Sequence, residues 1–145
     1  MNEQLIKAAK IAFASQYTFY LKAAFCHWNV TGPNFQQLHA LFETIYTEVY
    51  GTVDDFAEKI RSLGAYAPAS NSRFSVLSQI DDEIEVIPAE QMVAELLQDA
   101  ENMSLILKKV YDIAEASGEH GFSNFLAERL DKFKKHAWML RATAK

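Results

Sequence analysis

The chain contains a single cysteine, Cys26, which excludes an intrachain disulfide and suits a reducing compartment. With only three prolines and five glycines among 145 residues, no stretch reads as low-complexity or as an interdomain linker. Apolar runs free of charge never reach the length needed to cross a bilayer. The opening "MNEQLIKAAKIAFASQYTFYL" is interrupted by Lys7 and Lys10, so it is not expected to act as a signal peptide. Excess positive charge is also missing. A net charge of −5 and a pI near 5.3 argue against the whole chain acting as an electrostatic trap for nucleic acid. What remains is the expectation of a cytoplasmic protein, one domain over residues 1–145, half apolar and long enough to bury a core without staples.

That apolar half is spaced as helix. In the second of four long segments, Leu38, Phe42, Ile45, Val49, Val53, Phe56, Ile60 and Leu63 recur at steps of three and four. Val93, Leu96, Ala100, Met103, Leu107, Val110 and Ala114 do the same in the third. Leu126, Leu130, Phe133, Ala137 and Leu140 repeat the pattern in the last. The first segment, roughly Asn2 to Val30, is rich in alanine and aromatics and less cleanly amphipathic, as expected of a helix buried on more than one side. Gly32, Gly64 and Gly118 fall where helices should end, Asn34 and Gln37 have capping-box spacing, and Pro88 suits the first turn of the third helix. Residues 65–87 form a long connection with room for a short helix around Phe74–Gln79. Two short connections and one long one predict an all-α, ferritin-like four-helix bundle with a long crossover between helices 2 and 3.

Histidine and carboxylate are placed unusually on this scaffold. His27 precedes the "TGPN" turn, His39 follows it, and Glu43 lies one helical turn past His39 on the same face. Asp54 and Glu58 form a second i,i+4 pair, whose repulsion disfavours an isolated helix by a few tenths of a kcal/mol, about 0.3, unless a cation relieves it. Imidazole and carboxylate without thiolate suit Fe(II), Mn(II) or Zn(II) rather than a soft metal. Along one continuous helix His39 and Asp54 would stand about 22 Å apart, too far to share an ion. His27 can reach His39 across the turn, whereas Asp54 and Glu58 need partners from elsewhere. Two second helices running antiparallel across a two-fold axis would bring each His27/His39/Glu43 set against the other subunit's Asp54/Glu58. No Glu-x-x-His occurs in the chain, which excludes the di-iron centre built from such pairs inside one bundle.

"HWNVTGPNFQQLHALFE" followed by "VDDFAEKIRSLG" resembles the signature of the Dps family, the DNA-binding proteins from starved cells or mini-ferritins. Helix lengths, the long middle connection and the closing "HAWMLRA" extend the likeness over most of the chain. The resemblance implies a hollow dodecamer of identical subunits with ferroxidase sites at two-fold interfaces. It also implies oxidation of Fe(II), preferably by hydrogen peroxide rather than oxygen, storage of ferric mineral, and a part in stress response. His27, His39, Glu43, Asp54 and Glu58 fall at the family's ferroxidase spacing; Glu43 stands where aspartate is more usual. By the same resemblance Glu58 would bridge two irons and His27 and His39 would be terminal ligands, while Zn(II) or Mn(II) could occupy the same donors. Glu119 matches an acid lining the family's three-fold pores, but Asn124 stands where an aspartate is usual.

Plainer readings exist for each residue taken singly. His27 could be a satisfied core histidine, His39–Glu43 an ordinary helical pair, and Glu58 a partner of Arg61. Cys26 reads as a small buried residue. Trp28, beside the site, could intercept stray oxidant, but packing is its expected role, and His120 and His136 are expected at the surface. DNA binding, which the family name suggests, usually goes with a flexible basic tail. Here Lys7 and Lys10 fall inside the first helix. Residues 129–145 hold six basic residues against one acid, where cations also complement a helix dipole. Weak or no DNA binding at physiological salt is expected of an acidic shell. The competing class is a nucleoid-associated structural protein with a secondary metal site.

Overall fold

The computed structural model describes residues 2–145. Its helices are α1 (Glu3–Asn29), α2 (Phe35–Tyr50), α3 (Val53–Ser62), α4 (Asn71–Leu77), α5 (Ala89–Ala116) and α6 (His120–Thr143), with no strand among the described residues. Asn2 starts α1 by accepting the Leu5 N–H on its side-chain oxygen at 3.0 Å. The helix then buries Leu5, Ala9, Ala12, Ala14, Phe19 and Ala23 completely. Its small residues let neighbours approach from several sides, and α1 packs on α2, α3, α4 and α5, while α5 and α6 form the other close pair. With α2 and α3 counted as one bent rod, this is the expected four-helix bundle.

The second helix is not continuous. It breaks at Gly51–Thr52, two residues of low helix propensity. Thr52 Oγ1 donates to the Val49 carbonyl at 2.9 Å, and the Thr52 N–H bonds the same carbonyl at 3.2 Å, which competes with the regular ladder. Apolar spacing runs through the break unchanged, so Val49, Phe56 and Ile60 all face the core. Phe56 meets Phe13 and Phe125 edge-on at 5.5 and 5.4 Å between ring centres. Truncating so central a ring to alanine should cost about 3–5 kcal/mol.

The other end signals divide. Gly32, Gly64 and Gly118 all take positive φ (116°, 93° and 76°), which ends helices at low steric cost. The Asn34–Gln37 capping box is absent. Asn34 sits at ψ 23°, outside the extended conformation from which a cap side chain reaches back, and makes no side-chain cap bond. Pro88 caps α5 from just outside it, its carbonyl accepting from Gln91 and Met92 at 3.0 Å each. The crossover helix starts earlier than expected because Ser70 Oγ accepts the Arg73 N–H at 3.2 Å. Beyond it the crossover is tied down by the Gln79 N–H on Ser15 Oγ at 2.9 Å and by buried Ile80. Between α1 and α5, Lys22 and Asp99 form a buried ion pair at 2.6 Å. Burial raises the Asp99 carboxyl, against the opposing pull of Lys22. None of the described helices is long and apolar enough to cross a membrane.

Candidate metal centre

The last turn of α1 carries His27, and the first turns of α2 carry His39 and Glu43. Folding back through Thr31–Asn34 lays the two imidazoles face to face, 3.7 Å between centres and 16° from parallel. Each ring is oriented by the other's backbone. His27 Nδ1–H donates to the His39 carbonyl and His39 Nδ1–H donates to the His27 carbonyl, both at 2.7 Å. A carbonyl can only accept, so in the neutral rings the proton lies on Nδ1 and both Nε2 lone pairs are left free. Phe35 stacks on His39 at 5.0 Å and Tyr46 leans on His27 at 5.3 Å, which limits ring rotation. His27 Nε2 lies 3.7 Å from Glu43 Oε1, too long for a hydrogen bond. Two donors at about 2.1 Å from one tetrahedral ion stand roughly 3.4 Å apart. One donor from each of His27, His39 and Glu43 falls within 4.8 Å of the others, so these three fit a borderline cation.

Asp54 and Glu58 form a separate set on α3, exposed, and the structure adds Asp55, with donors within 4.8 Å of one another. The adjacent acids of "DD" were the signal for Asp55. Because of the break, Asp54 and Asp55 occupy a helix first turn, where the dipole favours negative charge. That tempers the repulsion expected along an unbroken helix. Glu58 and Asp55 border a groove whose far wall is Asn124 and Glu128 of α6. Glu58 has no ion pair with Arg61, which instead donates to the Ala65 carbonyl at 3.1 Å and lies over Tyr66. The histidine set and the acid set do not merge within the subunit.

Other expected placements change. His136 is buried, 2 % exposed, not at the surface, because its Nε2–H donates to Glu48 Oε1 at 2.7 Å. Glu48 also accepts from Arg129 Nη1 and Nη2, at 2.6 and 3.2 Å. Burial opposes the charged carboxylate, but the bonds from His136 and Arg129 outweigh it and hold the Glu48 pKa at about 2. Arg129, itself 2 % exposed, is thereby removed from the basic face of α6. Arg129 and His136 stand seven apart on one face of α6, but nothing in the spacing announced Glu48 of α2 as their shared partner. Trp28 is 66 % exposed, so its packing role is not met within the subunit, whereas Cys26 is buried as expected. His120 is exposed and bonds Glu115 at 2.6 Å, and Glu119 sits at the start of α6.

A four-helix bundle with one long crossover, carrying imidazole and carboxylate sets on its first two rods, is ferritin-like, and residues 6–145 match the family model for the ferritin-like domain. DNA protection during starvation protein 2 of Bacillus anthracis is 35 % identical over 142 residues, covering 98 % of this chain and 97 % of that one. The structure of Dps from Staphylococcus aureus superposes with a TM-score of 0.94 at 30 % identity, over 99 % of this chain and 97 % of the other. Dps from Vibrio cholerae O1, described as a member of a broad superfamily of ferritin-like diiron-carboxylate proteins, gives 0.93 at 28 % identity, over 99 % and 90 %. The chain belongs to the Dps family.

Proposed function

We propose that this protein is a ferroxidase and iron store that oxidises Fe(II), preferably with hydrogen peroxide, at sites shared between subunits, and keeps the ferric product inside a hollow shell. Membership of the Dps family and the diiron-carboxylate assignment of the Vibrio relative support iron as the metal, and the starvation-protection name of the Bacillus relative supports a role in stress. The observation that carries the reading is the histidine pair. Two stacked rings each spend Nδ1–H on the other's backbone carbonyl and keep Nε2 free beside Glu43.

Three donors leave an ion's coordination incomplete, and the other acids of the set, Asp54 and Glu58, are gathered elsewhere on the subunit. A two-fold axis relating antiparallel α2–α3 rods in a dodecamer would complete each set with the neighbour's Asp54 and Glu58. The histidines would act as terminal ligands and Glu58 as the bridge between two irons. Carboxylate oxygens favour Fe(III) over Fe(II), which makes bound iron easier to oxidise. Two Fe(II) then supply both electrons to one peroxide, and with two protons the products are two Fe(III) and two waters, avoiding a one-electron product. Zn(II) or Mn(II) would compete for the same donors. Arg129 is buried and Arg141 faces Glu101 at 3.7 Å, which leaves the basic end of α6 less free charge for DNA than its sequence suggests.

The test is Fe(II) oxidation by the metal-free purified protein, followed by ferric absorbance with peroxide and then with oxygen, beside an Asp54→Asn/Glu58→Gln variant of equal assembly. Faster oxidation with peroxide, lost in the variant, is expected. Rates matching protein-free buffer for both proteins would overturn the proposal, and salt-sensitive retention of DNA would then favour the structural alternative.

A further inference from the structure

We infer that Thr52 and Gln16, anchored by Arg129, are positioning residues that set the α2–α3 break and hence the placement of Asp54 and Glu58 relative to His39 and Glu43. The inference rests on the proposed reading of those five residues as one shared site.

A closed chain of hydrogen bonds spans the break. Within the break Thr52 Oγ1 accepts from Gln16 Nε2 at 2.9 Å while donating to the Val49 carbonyl. Gln16, 1 % exposed on α1, accepts the Arg129 Nε–H on its other atom, Oε1, at 3.2 Å. Arg129 of α6 then clamps Glu48 on the last turn of α2, the near side of the break. One residue before the break and one within it are thus tied together through two other helices. Every polar atom of the Gln16 amide oxygen and nitrogen pair has a specific partner in this chain, so the side chain has one orientation that satisfies both. Apolar packing would hold α3 against the core but would tolerate small rotations about the break, because Gly51 offers no side chain to resist them. Directional bonds before the break, at Glu48, and within it, at Thr52, restrict that freedom. His39 and Glu43 ride on α2 and Asp54 and Glu58 on α3, so the break angle sets how these two pairs are placed along the rod. None of the three residues belongs to either set.

The test uses the assembled protein with Thr52→Val, which keeps shape but deletes the hydroxyl, Gln16→Leu, and Thr52→Ser, which restores the hydroxyl. Co(II) is the probe, since its visible absorption reports coordination without turnover, and amide hydrogen exchange over residues 51–56 reports the break itself. Expected are unchanged assembly, faster exchange confined to those amides, an altered Co(II) spectrum and about tenfold weaker Co(II) binding in Thr52→Val and Gln16→Leu, with Fe(II) oxidation reduced to match. Thr52→Ser should behave as wild type. Wild-type Co(II) binding and spectra in all three variants would overturn the positioning role while leaving the metal site intact. Failure of the wild-type protein to bind Co(II) or oxidise Fe(II) would instead retire the proposed function and this role with it.

Discussion

Replacing Glu48 with glutamine removes one charge and leaves the shape almost unchanged. The carboxylate currently accepts two bonds from Arg129 and one from His136. Its pKa falls from 4.5 to about 2 on folding. At about 1.4 kcal/mol per unit, the ionised form is favoured by roughly 3 kcal/mol before screening. With 24 % of the side chain exposed, water takes part of that away, and we expect a loss of about 1–2 kcal/mol near neutral pH. For a chain of this length that is a fall in Tm of about 3–6 °C. The pH dependence carries the sharper prediction. A carboxyl whose pKa is depressed in the folded state stabilises above its unfolded value and loses that contribution as pH falls toward the folded one. The Tm gap between wild type and Glu48→Gln should therefore be full above pH 4.5 and shrink between 4.5 and about 2. Calorimetry of the purified protein at one protein concentration, from neutral pH down to its acid limit, reads it directly. A gap that stays constant over that range would refute the assigned charge pairing. A Glu48→Leu/Arg129→Met double variant should stay less stable than wild type, because it leaves buried His136 Nε2 and Gln16 Oε1 without their partners.

Other outcomes follow from the same structure. Variants lacking only His27 and His39, or only Asp54 and Glu58, should each lose Fe(II) oxidation, and reassembling a mixture of the two should recover part of it, measured beside unmixed controls; no recovery despite verified mixing would count against shared sites. Cys26, with burial pushing its thiol to about 12, should resist iodoacetamide in the native protein at neutral pH and react on unfolding, as read by mass spectrometry. Gly118→Ala should destabilise by about 1 kcal/mol, since φ of +76° at the α5–α6 turn penalises any Cβ, and a Tm drop of a few degrees, about 3 °C, would show it.

Much of this protein could be read from its residues alone. Steps of three and four in Leu38–Leu63, Val93–Ala114 and Leu126–Leu140 determine amphipathic helices, because only that period keeps one face apolar. Gly32, Gly64 and Gly118 mark the ends because positive φ is cheap only without a side chain. His27, His39 and Glu43 were legible as a set since a short turn brings consecutive helices side by side, so sequence proximity became spatial proximity. Tertiary structure decided the rest. The break at Gly51–Thr52 escaped because Val49, Val53 and Phe56 keep helical spacing straight across it, and the deciding bond comes from Gln16, 36 residues away. His136 reads as a surface residue and Arg129 as one of the basic residues of the last helix, with nothing to link either to Glu48 of α2. They become a buried cluster because packing of α6 on the bundle gives each charge a partner, and a paired charge can be buried where a lone one cannot.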